Sequence, residues 1–338
     1  MLFSNPSFIR LLIAVCTLLM AWNSTFPGSR PDRSGVMVMA HGGGGEWNAA
    51  VLHAVAPLRR YCPVEVAFGM AHRGSLQEAV HKLETRGVTR IVVARLLVSG
   101  DSFRAQTEYF LGLRSDPPEY FLLHPHSMDM SDSQSFDSAR LRDMVVPSKK
   151  HPLEPIRSRA AFVLTPRGLY DSPEIAQIVV ERVRSLSRDP ETESVLILAH
   201  GEGDDKLNAN WVERIEKLSR EIRKIGAFRE IGIETLREDW HDKRKPAEKR
   251  IRQFVARGNH RGKVLVVPFR VYGFGRIDSV LEGLEYRADG QALLPHPDIT
   301  GWLVREASRC FREQGWWDPF NETAEQRAQP HGNAERPF

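Results

Sequence analysis

Two short apolar segments that end in the same residues constrain the fold of this chain more than any other feature. The sequence Val38-Met39-Ala40-His41-Gly42 in the first half is answered in the second half by Ile197-Leu198-Ala199-His200-Gly201. Each segment has the length and composition of a buried strand, and each is followed by an amphipathic stretch of helical length. This βαβ pattern predicts parallel strands joined by helices, and its recurrence predicts two similar lobes in tandem.

Both halves contain the same series of predicted elements. In the first half we expect strands at 36–40, 64–68, 90–98 and 160–165, with helices near 46–60, 75–86, 103–113 and 173–187. In the second half we expect strands at 195–199, 230–235, 264–270 and 291–294, with helices near 206–225, 245–257, 276–285 and 298–312. The predicted fold class is α/β, with two lobes that each have a four-stranded parallel sheet flanked by helices. Ligands of such sheets bind at the carboxyl ends of the strands, where both His-Gly pairs lie.

The domain boundaries follow from these patterns. We expect the first lobe at 34–190, the second at 191–315 and a polar tail at 316–338. The segment at about 115–158 breaks the rhythm of strands and helices, which predicts an insertion in the first lobe. Its histidine- and methionine-rich stretch at 124–130 suits copper, nickel or cobalt, and a solvated loop with chance histidines is the alternative.

The N-terminus has the layout of a secretory signal. Arg10 precedes an uncharged, mostly apolar run from Leu11 to Trp22, which is shorter than the roughly 20 residues that a transmembrane helix needs. Residues 1–33 are therefore expected to be a signal peptide or an N-terminal anchor. The protein is expected to be exported, either periplasmic or membrane-anchored and facing outside, with any membrane attachment through this segment alone.

Charge and cysteine content narrow the choice of partners. The chain has 47 Lys and Arg against 43 Asp and Glu, and no block of like charge stands out, so we expect no nucleic-acid partner. Beyond the N-terminal segment only Cys62 and Cys310 remain. They could pair in an oxidising compartment or remain two separate buried thiols.

The ordered series of motifs resembles the class II tetrapyrrole chelatases, the family of the sirohydrochlorin cobaltochelatases and ferrochelatases. The likeness rests on His41-Gly42 after the first strand and on the segments 64–68, 75–79, 90–93 and 165–168. It covers most of the first lobe outside the insertion and is weaker in the second lobe. The resemblance implies two tandem chelatase-like lobes that insert Co²⁺, Fe²⁺ or Ni²⁺ into a carboxylated tetrapyrrole. The metal ion is then a substrate, and no organic cofactor is implied.

The resemblance also implies a set of site residues. Catalysis falls to His41 and His200, because a neutral imidazole is both a modest metal ligand and a proton acceptor near neutral pH. The implied metal ligands are His41, His72, His200 and Glu238. The implied substrate-binding residues are Gly42, Gly43, Ser102 and Arg276.

This sequence departs from the family pattern at two positions in the first lobe and one in the second. Ser102 and Arg276 stand where the family has a second histidine. The acidic residue expected after the second strand falls on Met70, with His72 two residues on, whereas the second lobe has Glu238 and Asp239 there. Each lobe alone has an incomplete ligand set. Either the two lobes share one site, or metal affinity and turnover have decayed.

Two other functions compete with metal insertion. An exported, non-catalytic protein that binds or scavenges a metal or a tetrapyrrole would keep the cleft and the histidines while tolerating the loss of a ligand. A secreted hydrolase would use the Ala-His-Gly-Gly-Gly loop as an oxyanion site, but the sequence has no Gly-x-Ser-x-Gly elbow.

Overall fold

The computed structural model describes residues 32–123 and 144–321. The predicted signal or anchor segment up to residue 31, the stretch at 124–130 and the tail beyond 321 lie outside the described residues, so export stays a prediction. The described residues from Arg33 onward belong to one compact unit. Within the described ranges, no helix is both long enough and apolar enough to cross a membrane.

The strands are short and mostly buried. In chain order they are β1 (Ser34–Ala40), β2 (Val64–Phe68), β3 (Arg90–Leu96), β4 (Tyr120–Leu122), β5 (Val145–Pro147), β6 (Ala161–Leu164), β7 (Glu193–Ala199), β8 (Glu230–Thr235) and β9 (Lys263–Phe269). The first sheet has the order β2-β1-β3-β6, and all its neighbouring strands are parallel. The parallel α/β architecture that the sequence predicts is therefore confirmed, and β4 and β5 pair antiparallel within the predicted insertion.

The second sheet is smaller than predicted. Its three parallel strands have the order β8-β7-β9. The strand predicted at 291–294 is wrong, because this part of the chain meets the sheet only through isolated bridges that pair Leu265 with Arg287 and Tyr272 with Leu294. Gly290, with a φ of +71°, turns the chain between the two bridges, and Pro295 has no N–H to extend the second.

Most helices lie close to their predicted positions, but the helix predicted near 276–285 is only four residues long. They are α1 (Gly45–Val55), α2 (Arg73–Thr85), α3 (Arg104–Phe110), α4 (Pro173–Leu186), α5 (Asp205–Arg223), α6 (His241–Asn259), α7 (Ile277–Val280) and α8 (Pro297–Glu313). A 3₁₀ helix, Ala56–Arg60, continues the chain after α1. Pro173 occupies the first turn of α4, where its missing N–H costs no hydrogen bond.

Alternating side chains of the central strands divide the interior into three cores. Val36, Val38 and Ala40 of β1 face one core, which also contains Val195 and Ile197 of β7. The alternate residues of each strand face outer cores, one under α2 and one under α6. The central core is common to both sheets, so neither sheet buries its inner face alone.

Two helices are exchanged between the sheets. Helix α4 follows the first sheet in sequence but packs against α5 and β9 of the second. Helix α8 follows the second sheet but packs against β3 and α1 of the first. This exchange joins the two halves into one body and fixes the carboxyl edges of the sheets relative to each other.

The two cysteines are separate buried thiols in the structure. Burial raises the pKa of the Cys62 thiol to about 12 and that of the Cys310 thiol to about 11. Both are therefore protonated near neutral pH, and neither resembles a reactive cysteine.

Candidate functional site

The two predicted catalytic histidines follow directly after equivalent strands. His41 follows β1 and His200 follows β7, and each is partly exposed. Nδ1 lies 2.6 Å from the Gly42 carbonyl oxygen in His41 and 2.9 Å from the Gly201 carbonyl oxygen in His200. Because a carbonyl can only accept, Nδ1 carries the proton and Nε2 is the atom that faces other groups.

The residue after each histidine has to be glycine. Gly42 has a φ of +80° and Gly201 a φ of +84°, in the left-handed region that favours glycine. A Cβ on Gly201 would also lie 2.6 Å from the Thr235 side chain. The turn that these glycines make sends the chain from the strand into the following helix.

His200 lies against two carboxylates at the end of β8. Its Nε2 is 2.9 Å from Asp239 Oδ2 and 3.5 Å from Glu238 Oε1. Burial lowers the pKa of His200, but the hydrogen bond and charge of Asp239 and the charge of Glu238 raise it further, to about 9. The imidazole is therefore protonated and ion-paired at neutral pH.

Charges from both lobes converge on Asp239. Burial raises the pKa of this carboxyl, but the hydrogen bond and charge of His200 and the charges of His41 and Arg270 together hold it below its usual range. His41 is thus within electrostatic range of the second-lobe cluster.

A side-chain hydrogen bond also joins the lobes beside these histidines. Ser102, in the loop after β3, is hydrogen-bonded to the carboxyl group of Glu202, two residues after His200. Burial raises the pKa of Glu202, while the charge of His200 and the bond to Ser102 oppose the rise. Ser102 therefore lies beside Glu202, and its role in substrate binding stays a prediction.

Three other predicted residues have structural partners of their own. His72 is the N-cap of α2, and its Nδ1 accepts from the Ser75 N–H at 3.2 Å. The Gly43 N–H donates to Asn48 Oδ1 at 3.0 Å, so this amide is already engaged. Arg276 is the N-cap residue of the short helix α7. The contact of His72 is with its own helix and not with the His200 cluster.

Three residues of the region are not among the predicted ligands and substrate-binding residues. Arg270 follows β9 directly and lies 3.4 Å from Glu238 Oε1 through Nη1. Asp239 is closer to His200 than the predicted Glu238 is, and Glu202 reaches across to the other lobe. Arg270 could have been found from its place at a strand's carboxyl end. The contact of Glu202 depends on how the two sheets meet, for which the sequence has no local signal.

Two buried arginines hold the loops of the site. Arg237, with a φ of +54°, donates through Nε to the Glu202 carbonyl oxygen at 2.6 Å and through Nη1 to Asp205 Oδ1 at 2.7 Å. Arg95, 1% exposed at the end of β3, donates to the carbonyl oxygens of Gly100, Ser102 and Thr165. A non-glycine residue with a positive φ, such as Arg237, has a strained conformation of the kind that clusters at functional sites.

The metal-binding potential of the region depends on a rearrangement. Over residues 32–123 and 144–321, no group of three or more His, Cys, Asp or Glu side chains is already arranged around a metal position. His200 and its carboxylates instead bond to one another. A metal ion would have to replace the proton that His200 and Asp239 share.

A separate groove of about 460 Å³ lies elsewhere on the molecule. It runs between α4 and α5, and none of the predicted site residues line it. Its walls are formed by Tyr170, Asp171, Ser172, Pro173, Ala176, Gln177, Arg214, Lys217, Leu218 and Glu221.

Comparison with known proteins identifies the fold. No protein-family model matches the chain, and no curated protein matches it either. Among solved structures, SirB from Bacillus subtilis with Fe³⁺ is similar with a TM-score of 0.54 at 13% sequence identity, over 85% of this chain and 99% of that chain.

Two further structures are similar to a smaller degree. A multi-domain protein of Deinococcus radiodurans, described as structurally similar to chelatases, gives a TM-score of 0.48 at 14% identity, over 82% of this chain and 54% of that one. The sirohydrochlorin chelatase SirB from Bacillus subtilis subspecies spizizenii in complex with cobalt gives 0.46 at 12% identity, over 81% and 93%. The match to SirB with Fe³⁺ confirms the chelatase-like fold that the sequence motifs resemble.

Proposed function

We propose that this chain, which has the fold of SirB, binds a divalent metal ion and a flat, carboxylated tetrapyrrole between its two sheets and inserts the metal into the ring. The observation that carries the proposal is the cluster of His200, Asp239 and Glu238 at one carboxyl edge, with His41 of the other lobe within electrostatic range. Co²⁺, Fe²⁺ and Ni²⁺ all suit an imidazole with carboxylates.

In this proposal the second lobe holds the metal substrate. His200 Nε2 and the carboxylates of Asp239 and Glu238 are the donors, and the metal displaces the proton that the imidazole holds in the metal-free protein. Asp239 thus joins the ligands expected from the sequence. A small donor set is an advantage, because the metal has to leave the protein for the ring.

The first lobe supplies the proton acceptor. Metal insertion releases two protons from pyrrole nitrogens. An imidazole near the ring, in its neutral form, accepts one of them and passes it to solvent before it accepts the second. His41 has Nδ1 bonded to the Gly42 carbonyl, so its Nε2 is the basic atom. His41 and His200 then have different tasks, although their strands and turns are equivalent.

The ring's carboxylates need cationic or N–H partners. Arg270 and Arg276 both follow β9 and provide guanidinium groups on the second lobe. The Gly42 amide and the Ser102 hydroxyl are the corresponding groups on the first lobe. Gly43 contributes less than the sequence suggested, because Asn48 already accepts its N–H.

The test separates metal binding from insertion. Calorimetric titration with Co²⁺ is expected to lose at least tenfold in affinity in His200→Ala, and His41→Ala is expected to bind Co²⁺ normally. Insertion, followed by the absorbance change of sirohydrochlorin with Co²⁺, is expected to fall about 10²- to 10⁴-fold in His41→Ala. His260→Ala is the control, because His260 is exposed just after α6, at the edge of the sheet opposite the carboxyl ends of the strands.

Turnover decides between an enzyme and a carrier. Catalytic amounts of protein are expected to convert an excess of sirohydrochlorin. A change that stops at one ring per protein would assign the chain to binding or scavenging instead. Unaltered Co²⁺ binding in His200→Ala would remove the metal site proposed here.

A further inference from the structure

Aromatic rings surround both histidines at the carboxyl edges of the sheets. Trp47 of α1 stacks on the His41 imidazole, with ring centroids 5.4 Å apart and planes 30° apart. Trp240 presents an edge-on contact to His200, at 6.0 Å and 85°. Each lobe therefore has one tryptophan beside its histidine, contributed by a different part of the chain in each case.

A glycine packs directly against each of these tryptophans. A Cβ on Gly43 would lie 2.9 Å from three atoms of Trp47, and a Cβ on Gly203 would overlap the indole of Trp240. Neither glycine has the positive φ that would explain it by backbone conformation. The close approach of the ring is thus the physical reason for glycine at both positions.

The two lobes also meet through an aromatic contact. Trp47 lies against Tyr272, which follows β9 in the second lobe, with centroids 5.9 Å apart and planes 51° apart. Both side chains are only partly buried. The Trp47 Nε1–H is enclosed and has no hydrogen-bond partner among the described residues, which is unusual for a buried indole.

We propose that Trp47 and Tyr272 form an aromatic clamp, contributed by opposite lobes, that stacks on the face of a flat conjugated macrocycle. The inference rests on the proposed function and adds the residues that recognise the ring itself instead of its carboxylates. Aromatic rings stack with centroids about 4.5–7 Å apart, the range that the rings beside His41 already span. A ring seated on Trp47 takes the place of the Trp47–Tyr272 contact and lies next to the His41 imidazole.

The clamp is tested by binding of metal-free sirohydrochlorin, followed by absorbance titration with no metal present. We expect the Kd to rise about tenfold in Trp47→Leu and in Tyr272→Leu, because leucine keeps apolar volume but has no π face. Phenylalanine at either position is expected to keep the Kd within about threefold, because it retains a ring that can stack. Tyr61→Leu is the matched control, since Tyr61 lies before β2 at the opposite edge of the first sheet.

The outcomes distinguish this inference from the proposed function. Leucine variants that bind as tightly as the wild type overturn the clamp, whether or not metal is inserted. Weakened binding in the leucine variants, with rescue by phenylalanine, supports the clamp even if no metal is inserted. Wild-type protein that does not bind the ring overturns both ideas. Tyr272 provides an independent test if Trp47→Leu does not fold, because Trp47 also packs on the central core.

Discussion

Replacing Arg95 by methionine is expected to destabilise the protein by about 3 kcal/mol and to loosen the loop that carries Ser102. Arg95 is 1% exposed, and its guanidinium donates to the carbonyl oxygens of Gly100, Ser102 and Thr165. Burial lowers the pKa of Arg95 to about 10, so the group stays charged at neutral pH. The strand end and the next loop are thus held around a buried cation.

The magnitude follows from what the substitution leaves behind. Methionine fills most of the volume but cannot donate, so three carbonyl oxygens lose their partner at a cost of about 1–3 kcal/mol each. Removing a buried charge returns several kcal/mol of desolvation energy. The difference is a net loss of about 3 kcal/mol, with the loop after β3 free to move away from Glu202.

The assay is urea unfolding of the variant beside a control from the same strand. Arg90→Met is the control, because Arg90 lies at the start of β3 over the Trp316 ring and is expected to change the free energy of unfolding by less than about 1 kcal/mol. The same variants are then compared in the ring-binding titration. A loss of less than about 1 kcal/mol in Arg95→Met would refute the account of the buried cation.

Three further predictions concern single contacts. In metal-free protein, Asp239→Asn is expected to lower the pKa of His200 from about 9 toward its ordinary value near 6.5; an unchanged midpoint in an NMR titration would exclude the ion pair. Burial raises the pKa of Glu193, but hydrogen bonds from its neighbours outweigh burial and hold the pKa below its usual value. The ionised Glu193 therefore stabilises the folded state above about pH 4.3, and this stabilisation is lost as the pH falls through the lower folded-state pKa. Glu193→Gln should therefore flatten the acid limb of stability measured by urea unfolding between neutral and acid pH, and an unchanged limb would contradict this. Gly232→Ala is expected to cost about 1–3 kcal/mol, because a Cβ there overlaps the Phe254 ring; thermal unfolding at the wild-type temperature would contradict that packing.

The fold was predictable from the sequence where local pattern and tertiary packing agree. Seven of the eight strands predicted for the sheets are present. Continuous apolar runs such as 36–40 and 195–199 form central parallel strands, which are buried on both faces of the sheet. The strand at 291–294 was not predictable in this way. Its apolar residues are buried, but a glycine turn and Pro295 limit it to a single bridge.

The candidate site was predictable only in part, for a similar reason. His41, His200 and Glu238 were predicted because strand-end motifs carry them, and in the structure His200 Nε2 lies 3.5 Å from Glu238 Oε1. His72 was predicted as a metal ligand from its spacing alone. In the structure its Nδ1 caps a helix. Glu202 belongs to the region because of how the two sheets meet, which no local pattern encodes.

The way the sheets meet also bears on the ligand sets that are incomplete in each lobe. Because α4 and α8 are exchanged and the central core is common, the two carboxyl edges are held in one relative position. The second lobe has Glu238 and Asp239 where the first has Met70, and His41 of the first lobe acts electrostatically on Asp239. In the proposed function neither lobe needs a complete ligand set of its own, because the two lobes share one metal ion. In that proposal Ser102 and Arg276, which stand at the second-histidine positions, contribute to binding the ring's carboxylates instead of the metal.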